Sequence, residues 1–510
     1  VSGPATQVVL GIDIGTTAVK VVAVDRDLAV RVVEERECRL TGADGRAEHD
    51  AEHVLCVTVG VVRQCVASCA EIGLEVAGLS FSAALHTLLA LDDKGEPLTP
   101  ALSWADTRAT AVARRIRAEG GAELHRSTGT PVHPMSPLTK LAWFAQEEPG
   151  LLAGAAVWCG LKDFVLFWFT DRLVTDLSCA SATGLLDLST MDWSADAIEV
   201  SGVDVRRLPE LVAPTEVLTL CADAADALGL PAGLPVVAGA GDGPLANLGV
   251  GAVVPGTAAL SVGTSAALRV ARTGPAVDER CRVFCYHLAG DLWVTGGAVS
   301  NGGLVAQWAM ETFGLDDIGE LLAEAALVPP GADGLVALPY LLGERAPWWD
   351  PSPRGAFMGL RGDHDRAAMT RAMVEGVGQQ IALVRDSVLE TGARVDVIRA
   401  TGGALRAPLW ADVLAAALDL PLEVADDSAG SGFGAALLAW HALGVLPSLA
   451  AAAQLPRTRR TVWPDSVAAA RMAAVRPLIE QIHEVATDLA AIHNDSESSA
   501  RSGGRAAVRS

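Results

Sequence analysis

The stretch VVLGIDIGTTAVKVVAVD, residues 8–25, consists of two apolar runs joined at Gly15-Thr16-Thr17. Runs this rich in Val and Ile, pinched by small residues, read as a β-hairpin with buried strands. The plan returns in the other half of the chain as AALSVGTSAALRVAR, residues 258–272, around Gly263-Thr264-Ser265. Both copies follow one template: apolar, any residue, apolar, Gly, Thr, Ser or Thr, Ala. Glycine lets the backbone turn tightly and approach a ligand closely. The N–H groups and hydroxyls that follow can donate to phosphate oxygens. Alone, either copy is an ordinary hairpin turn. Two copies in matching positions describe a duplicated fold with one phosphate clip per lobe, holding a polyphosphate in the cleft between them.

The copies differ at one position. Asp13 lies two residues before Gly15, and its counterpart is Ser261. A carboxylate beside a phosphate clip is electrostatically costly unless a cation sits between them, and Mg²⁺ is the usual choice. Lys20 adds positive charge nearby. No lysine follows a glycine anywhere in the chain, so there is no Walker A loop. No strand-GxGxxG-helix unit opens either lobe, and a dinucleotide site is not supported.

At 510 residues, the chain exceeds one ordinary core, and two domains of roughly 250 residues are expected. The net charge of −22 argues against nonspecific binding to nucleic acid or anionic membrane. Any anionic substrate must therefore be held by local cations. The nearest candidate for a membrane span, Leu151 to Phe169, is broken by Lys162-Asp163, so no transmembrane helix is expected. Residues 1–10 lead straight into a strand and show no secretory signal. The nine cysteines contain no CxxC pair and read as reduced thiols of a cytoplasmic protein.

Strands are expected within 8–34, at 76–84, 236–243, 258–271 and 395–403. Helices are expected at 51–70, 107–118, 302–313, 366–390, 408–418 and 430–443. A hairpin over 86–104 would turn at Asp93-Lys94-Gly95. The strand-to-helix alternation makes the fold class α/β. Residues 1–246 form the expected N-terminal lobe and 247–492 the C-terminal lobe. Residues 493–510, rich in Ser, Gly and Arg, are expected to be a disordered tail.

These motifs resemble the FGGY family of carbohydrate kinases, within the actin-like ATPase superfamily, over about 8 to 445. GIDIGTTAVK and SVGTSAALRV look like its two phosphate motifs. GAGDGPLANLGVG (239–251) looks like its catalytic-Asp segment, and TGGALRAPLWADVLAAALDLPL (401–422) like its adenosine motif. MSPLTKLAWFAQE (135–147) fits the family pattern M-x-P-x-x-K-apolar-x-W. GAFMGL…AMTRAMVE fits a later pattern except at Ala368, where a polar residue is usual. The resemblance implies two actin-like, ribonuclease H-like ATPase lobes with a central cleft.

It also implies ATP and Mg²⁺ as cofactors, with Asp242 taking a proton from a sugar hydroxyl as that hydroxyl attacks the γ-phosphate. Asp13 would hold the Mg²⁺. Gly15, Thr16, Thr17, Lys20, Gly263, Thr264 and Ser265 would bind the phosphates, and Gly402, Gly403 and Arg406 the adenosine side. His86, Trp104, Asp106, Arg108, Lys140, Glu344 and Arg345 are candidate contacts for a small-molecule sugar or sugar acid.

The segments at 80–109 and 126–143 are most similar to the gluconate-phosphorylating members. Xylulokinases usually read Gln-Met-His-Gly where this chain has Ala84-Leu85-His86-Thr87. The expected reaction is D-gluconate to 6-phosphogluconate. A sugar-acid carboxylate needs a cation, for which Arg345, Arg108, Lys140 and His86 compete. The rival readings are a xylulose or polyol kinase of the same family and a non-catalytic actin-fold ATPase switch. The sugar-side segments at 80–108 and 131–147 oppose the switch. A homodimer is compatible with the sequence.

Overall fold

The computed structural model describes residues 6–425, 430–455 and 458–507, with side chains through 492. The chain divides into two compact units. One comprises Val1–Thr257, Val270–Thr295 and Asp427–Arg457; the other comprises Ala258–Arg269, Gly296–Asp426 and Thr458–Ser510.

The first unit is built on the strands β1 (Thr6–Ile14), β2 (Ala18–Asp25), β3 (Val30–Glu37), β4 (Leu74–Ala83), β5 (Val217–Thr219) and β6 (Pro235–Gly241). They form one sheet in the order β5-β6-β4-β1-β2-β3. The hairpin β1–β2 is antiparallel, and β1, β4 and β6 run parallel. Both faces of β1 are covered, which is why its sequence is apolar almost throughout. Val8, Leu10, Ile12 and Ile14 share a core with helix α1 (Ala51–Glu71), through Val54, Val57, Val61 and Val62. Asp50 starts α1 by accepting from His53 N at 3.0 Å. By length and composition α1 could cross a membrane, but its apolar face is this core. It carries no uninterrupted apolar run of that length, because His53, Arg63 and Gln64 punctuate the other side.

Along the first unit follow α2 (Leu161–Thr170), α3 (Leu177–Ser181) and α4 (Asp242–Gly249). The second unit contributes α5 (Leu304–Thr312), α6 (Ile318–Leu327), α7 (Arg366–Glu390) and α8 (Pro408–Leu418). Helix α9 (Gly430–Ala442) returns to the first unit. It covers the other face of the first sheet, packing Phe433 and Leu437 with Val9, Val22 and Val24. Glycines permit the close approach. A Cβ on Gly11 would lie 1.9 Å from Gly432 O, and one on Gly434 would lie 2.0 Å from Leu245 O. The expectation of two contiguous lobes therefore differs from the observed division, because α9 packs with β1 and α4 rather than with its sequence neighbours.

A second sheet uses β7 (Gly256–Val262), β8 (Ala266–Thr273), β9 (Phe284–Ala289), β10 (Leu292–Val299), β11 (Val395–Thr401), β12 (Leu422–Ala425) and β13 (Thr458–Val462). Its order is β9-β10-β8-β7-β11-β12-β13. The run β10-β8-β7-β11-β12 repeats the run β3-β2-β1-β4-β6 of the first sheet, so the duplicated turns occupy equivalent hairpins.

Two local expectations are revised. The segment 86–104 turns at Asp93-Lys94-Gly95 as expected but pairs across itself only through isolated bridges, Leu88–Leu102 and Leu91–Pro97, while Leu89–Leu91 takes Val157–Cys159 as its ladder partner. Helix α10 (Ser466–Ala507) runs through 493–507, which were expected to be disordered. Extending an established helix avoids the cost of a new nucleus. Residues 508–510 of that tail lie outside the described residues.

Gly434→Ala should destabilise the fold by overpacking, by about 1–3 kcal/mol, and lower Tm by several degrees. Gly150→Ala, with nothing within 4 Å of its added Cβ, should leave Tm nearly unchanged. Thermal unfolding of both variants checks this, and equal shifts would contradict it.

Candidate active site

Three parallel strands end together. Asp13 pairs with Ser82 and Ser82 with Ala240; one step on, Ile14 pairs with Ala83 and Ala83 with Gly241. Beyond this line the chain leaves β1 into Gly15–Thr17, β4 into Ala84–Thr87 and β6 into Asp242. With neighbouring strands about 4.8 Å apart, the strand ends carrying Asp13 and Asp242 are separated by about 10 Å, with β4 between them. The carboxyl edge of parallel strands is where open α/β sheets place ligands.

Asp13 accepts from Ser82 Oγ at 2.8 Å. Burial pushes its carboxyl up from the ordinary value, against hydrogen bonds from Ser82 and Ser431 and the charge of Lys20. Lys20 is its cross-strand partner and pairs with Glu35 at 3.1 Å. A desolvated carboxylate with so little local compensation suits a cation. No group of three or more His, Cys, Asp or Glu capable of holding a metal occurs among the described residues. An ion held here through Asp13 would take its other ligands from phosphate and water, as Mg²⁺ can.

Asp242 is half-buried and is the first residue of α4, with Gly243 N donating to Oδ1 at 2.7 Å. The turn after β1 is closed by Gly15 N donating to Ala18 O at 3.0 Å. Thr16 and Thr17 stay at least partly exposed. Trp104 Nε1 donates to Thr16 Oγ1 at 3.0 Å, which joins a sugar-side candidate to the phosphate turn.

His86 has a left-handed backbone (φ 68°), a strained conformation that concentrates at functional sites. Its Nδ1 lies 2.8 Å from Ala182 O. That contact requires Nδ1–H and leaves Nε2 as the acceptor of the neutral ring, facing Tyr286 OH at 3.4 Å. Tyr286 had no signal in the sequence; only the return of β9 to the first unit brings it here.

Several residues expected as sugar contacts make internal hydrogen bonds and ion pairs. The Lys140 ammonium is fully buried and donates to His86 O at 2.6 Å and Ser103 O at 2.8 Å. Burial lowers its pKa to about 7. It holds two loops together. The Asp106 carboxylate is also buried. Its two oxygens accept from Arg108 N, Nε and Nη2 and from Ala47 N. Those four bonds fill a carboxylate's acceptor positions, so none is left for sugar hydroxyls. Arg108 pairs with both Asp106 and Glu48 and lies over the Trp143 ring.

In the second unit, Glu344 is buried and accepts from Ser300 N at 2.5 Å, Arg345 N at 2.8 Å and Asn301 Nδ2 at 3.2 Å. Burial raises its pKa to about 7 despite those donors. Glu344 is thus a loop clamp. Arg345 is half-buried, with Nη2 donating to Val299 O at 3.0 Å.

The second phosphate turn and the adenosine motif meet within this unit. Gly263, Thr264, Gly403 and Arg406 line a cavity of about 940 Å³ together with Leu304 and Ile318. That is ample for a nucleotide-sized ligand. Gly402 has φ 116° and no room for a side chain, because a Cβ would lie 2.2 Å from Val262 O. Ser265 sits at the turn's far side, where its carbonyl accepts from Gly263 N at 2.9 Å. Gly302 and Gly303, not foreseen as site residues, brace the turn by donating to Thr264 O at 2.9 Å and Gly263 O at 2.7 Å. The Asn-Gly-Gly before α5 was the signal available for them.

A duplicated strand order, a phosphate-type turn in each copy and a carboxylate at the strand ends define a phosphotransferase of the actin-like ATPase fold. Residues 8–249 match the N-terminal domain of the FGGY family of carbohydrate kinases and 258–443 its C-terminal domain. The chain belongs to that family and is a carbohydrate kinase. It is 36% identical over 465 residues to a gluconokinase of Bacillus subtilis, covering 88% of this chain and 90% of the relative. It is 28% identical to a xylulose kinase of Lactococcus lactis, covering 87% and 89% of the two chains. The structure of a gluconate kinase from Lactobacillus acidophilus matches with TM-score 0.89 and 30% identity over 94% of this chain and 98% of that one.

The Lys140 site makes stability pH-dependent. An unfolded lysine titrates near 10.4, whereas Lys140 in the fold titrates near 7. Between those values the unfolded chain binds more protons, so this site's contribution to stability rises with pH. The Tm advantage of the parent over Lys140→Met should therefore grow from pH 7 to pH 9.5. A pH-independent difference would contradict the buried placement.

Proposed function

We propose that this chain transfers the γ-phosphoryl group of ATP to D-gluconate, forming 6-phosphogluconate, with Asp242 as general base. The observation that carries the mechanism is the common edge of β1, β4 and β6, from which Asp13 and Asp242 both emerge. A sugar-acid hydroxyl hydrogen-bonded to Asp242 gives up its proton as its oxygen attacks the γ-phosphorus and ADP leaves. Such assistance is worth about 10²–10⁴ in rate. The remaining acceleration comes from positioning and from neutralising the transferring group. Backbone N–H groups and hydroxyls of Thr16, Thr17, Thr264 and Ser265 hold phosphate oxygens. Mg²⁺, when bound through Asp13 and water, supplies charge neutralisation on the nucleotide phosphates.

Gluconate is favoured over xylulose because the gluconokinase relative is 36% identical and the xylulose kinase 28%. Of the cations considered for the substrate carboxylate, Lys140 is committed to two carbonyls and Arg108 to two carboxylates. His86 and Arg345 are the remaining candidates.

An ADP-coupled assay over a panel of sugars and sugar acids tests the substrate. The kcat/KM for gluconate should exceed that for D-xylulose by at least about tenfold, and the reverse preference would overturn the assignment. Asp242→Asn should lower kcat by about 10²–10⁴ while ATP still binds. Undiminished turnover would remove Asp242 from the mechanism.

A further inference from the structure

Behind the strand end that carries Asp242 lies a buried charge pair that no step of the mechanism uses. Lys162 on α2 and Asp176, immediately before α3, approach to 2.7 Å, with side chains 2% and 0% exposed. Isolated charges in such a place are strongly unfavourable, and a buried pair is not in itself a source of stability. Its partners indicate what it fixes. Lys162 Nζ also donates to Ala238 O on β6 at 2.9 Å. Asp176 Oδ1 caps α3 by accepting from Ser178 N at 2.8 Å and Cys179 N at 3.0 Å. Ser178 Oγ in turn accepts from Gly241 N at 3.3 Å.

The pair therefore reaches β6 directly at Ala238, inside an irregularity, and through Ser178 at Gly241, just beyond it. The β6–β4 register shifts between Val237 and Ala240. Gly239 there has φ 84°, and a Cβ on it would lie 1.8 Å from Phe81 O. Such bulges re-aim the residues that follow them. Gly241, held by Ser178, is the residue directly before Asp242.

We propose that the Lys162–Asp176 pair, acting through Ala238 O and through Ser178, is a positioning device that sets the direction in which β6 delivers the Asp242 carboxylate. This deepens the reading of Asp242 as general base and rests on it. Lys162, Asp176 and Ser178 are positioning residues; none needs to touch substrate.

The test uses the full chain and three variants: Ser178→Ala, which leaves the ion pair intact, Lys162→Met, and the double replacement Lys162→Met/Asp176→Asn, which removes both charges of the pair. Steady-state kinetics with gluconate and ATP should show kcat reduced by about 10-fold or more, up to about 10², with both KM values little changed. In the Asp242→Asn background the same substitutions should lower the residual rate by less than about twofold, because groups acting as one unit are not additive. A purely structural role would instead lower the rate equally in both backgrounds.

Should Lys162→Met fail to fold, Ser178→Ala and the double variant decide. Folded variants with parental kcat, or with equal losses in both backgrounds, would overturn the positioning role while leaving Asp242 as base. Parental turnover in Asp242→Asn alone would instead overturn the base assignment, and this proposal with it.

Discussion

The first unit depends on a parallel ladder that is closed on both faces. Parallel strands cannot be joined by a tight turn, so each connection is long and each successive chain segment leaves the sheet at the same end. With β1, β4 and β6 in register at Ile14, Ala83 and Gly241, three unrelated loops emerge side by side. The phosphate turn, the strained His86 loop and Asp242 thus become neighbours although they are distant in sequence. The covering elements make this edge rigid: α1 seals one face, and α9, packed backbone to backbone through Gly11 and Gly434, seals the other.

Charge is handled on the same principle in several places. Lys140, Asp106, Lys162 and Glu344 are all inside the protein, and each is engaged by carbonyls, N–H groups or an opposite charge. Burial shifts Lys140 down and Glu344 up toward neutrality, while the nearby acid keeps Lys162 charged. These groups fix loops. The loops around Ser103 and His86 are joined by the buried Lys140 ammonium, so their geometry depends on it.

The duplicated plan was visible because it is local. A hairpin with a small-residue turn is a property of about a dozen neighbouring residues, and both copies fold as read, with the same strand order around them. The apolar periodicities of α7 and α8 likewise gave their extents directly. Ligand-facing charge was harder to read. Asp106 and Arg108 in WADTR have the right chemistry for a polyol, yet their side chains satisfy one another and Glu48. Nothing in one sequence distinguishes a carboxylate aimed at a ligand from one aimed at an arginine two residues away. Tyr286 and the Gly302-Gly303 brace were missed because their roles arise only from strand return and loop crossing.

The sequence by itself determined the two Gly-Thr turns, the α/β class and the family. These are short-range patterns whose physics is contained in neighbouring residues. Only the tertiary structure decided that Asp13 and Asp242 share an edge, that Lys140 and Asp106 are internal struts, and that α9 belongs with β1. Those outcomes follow from long-range packing and from the requirement that buried polar groups find partners, and neither is encoded in spacing along the chain.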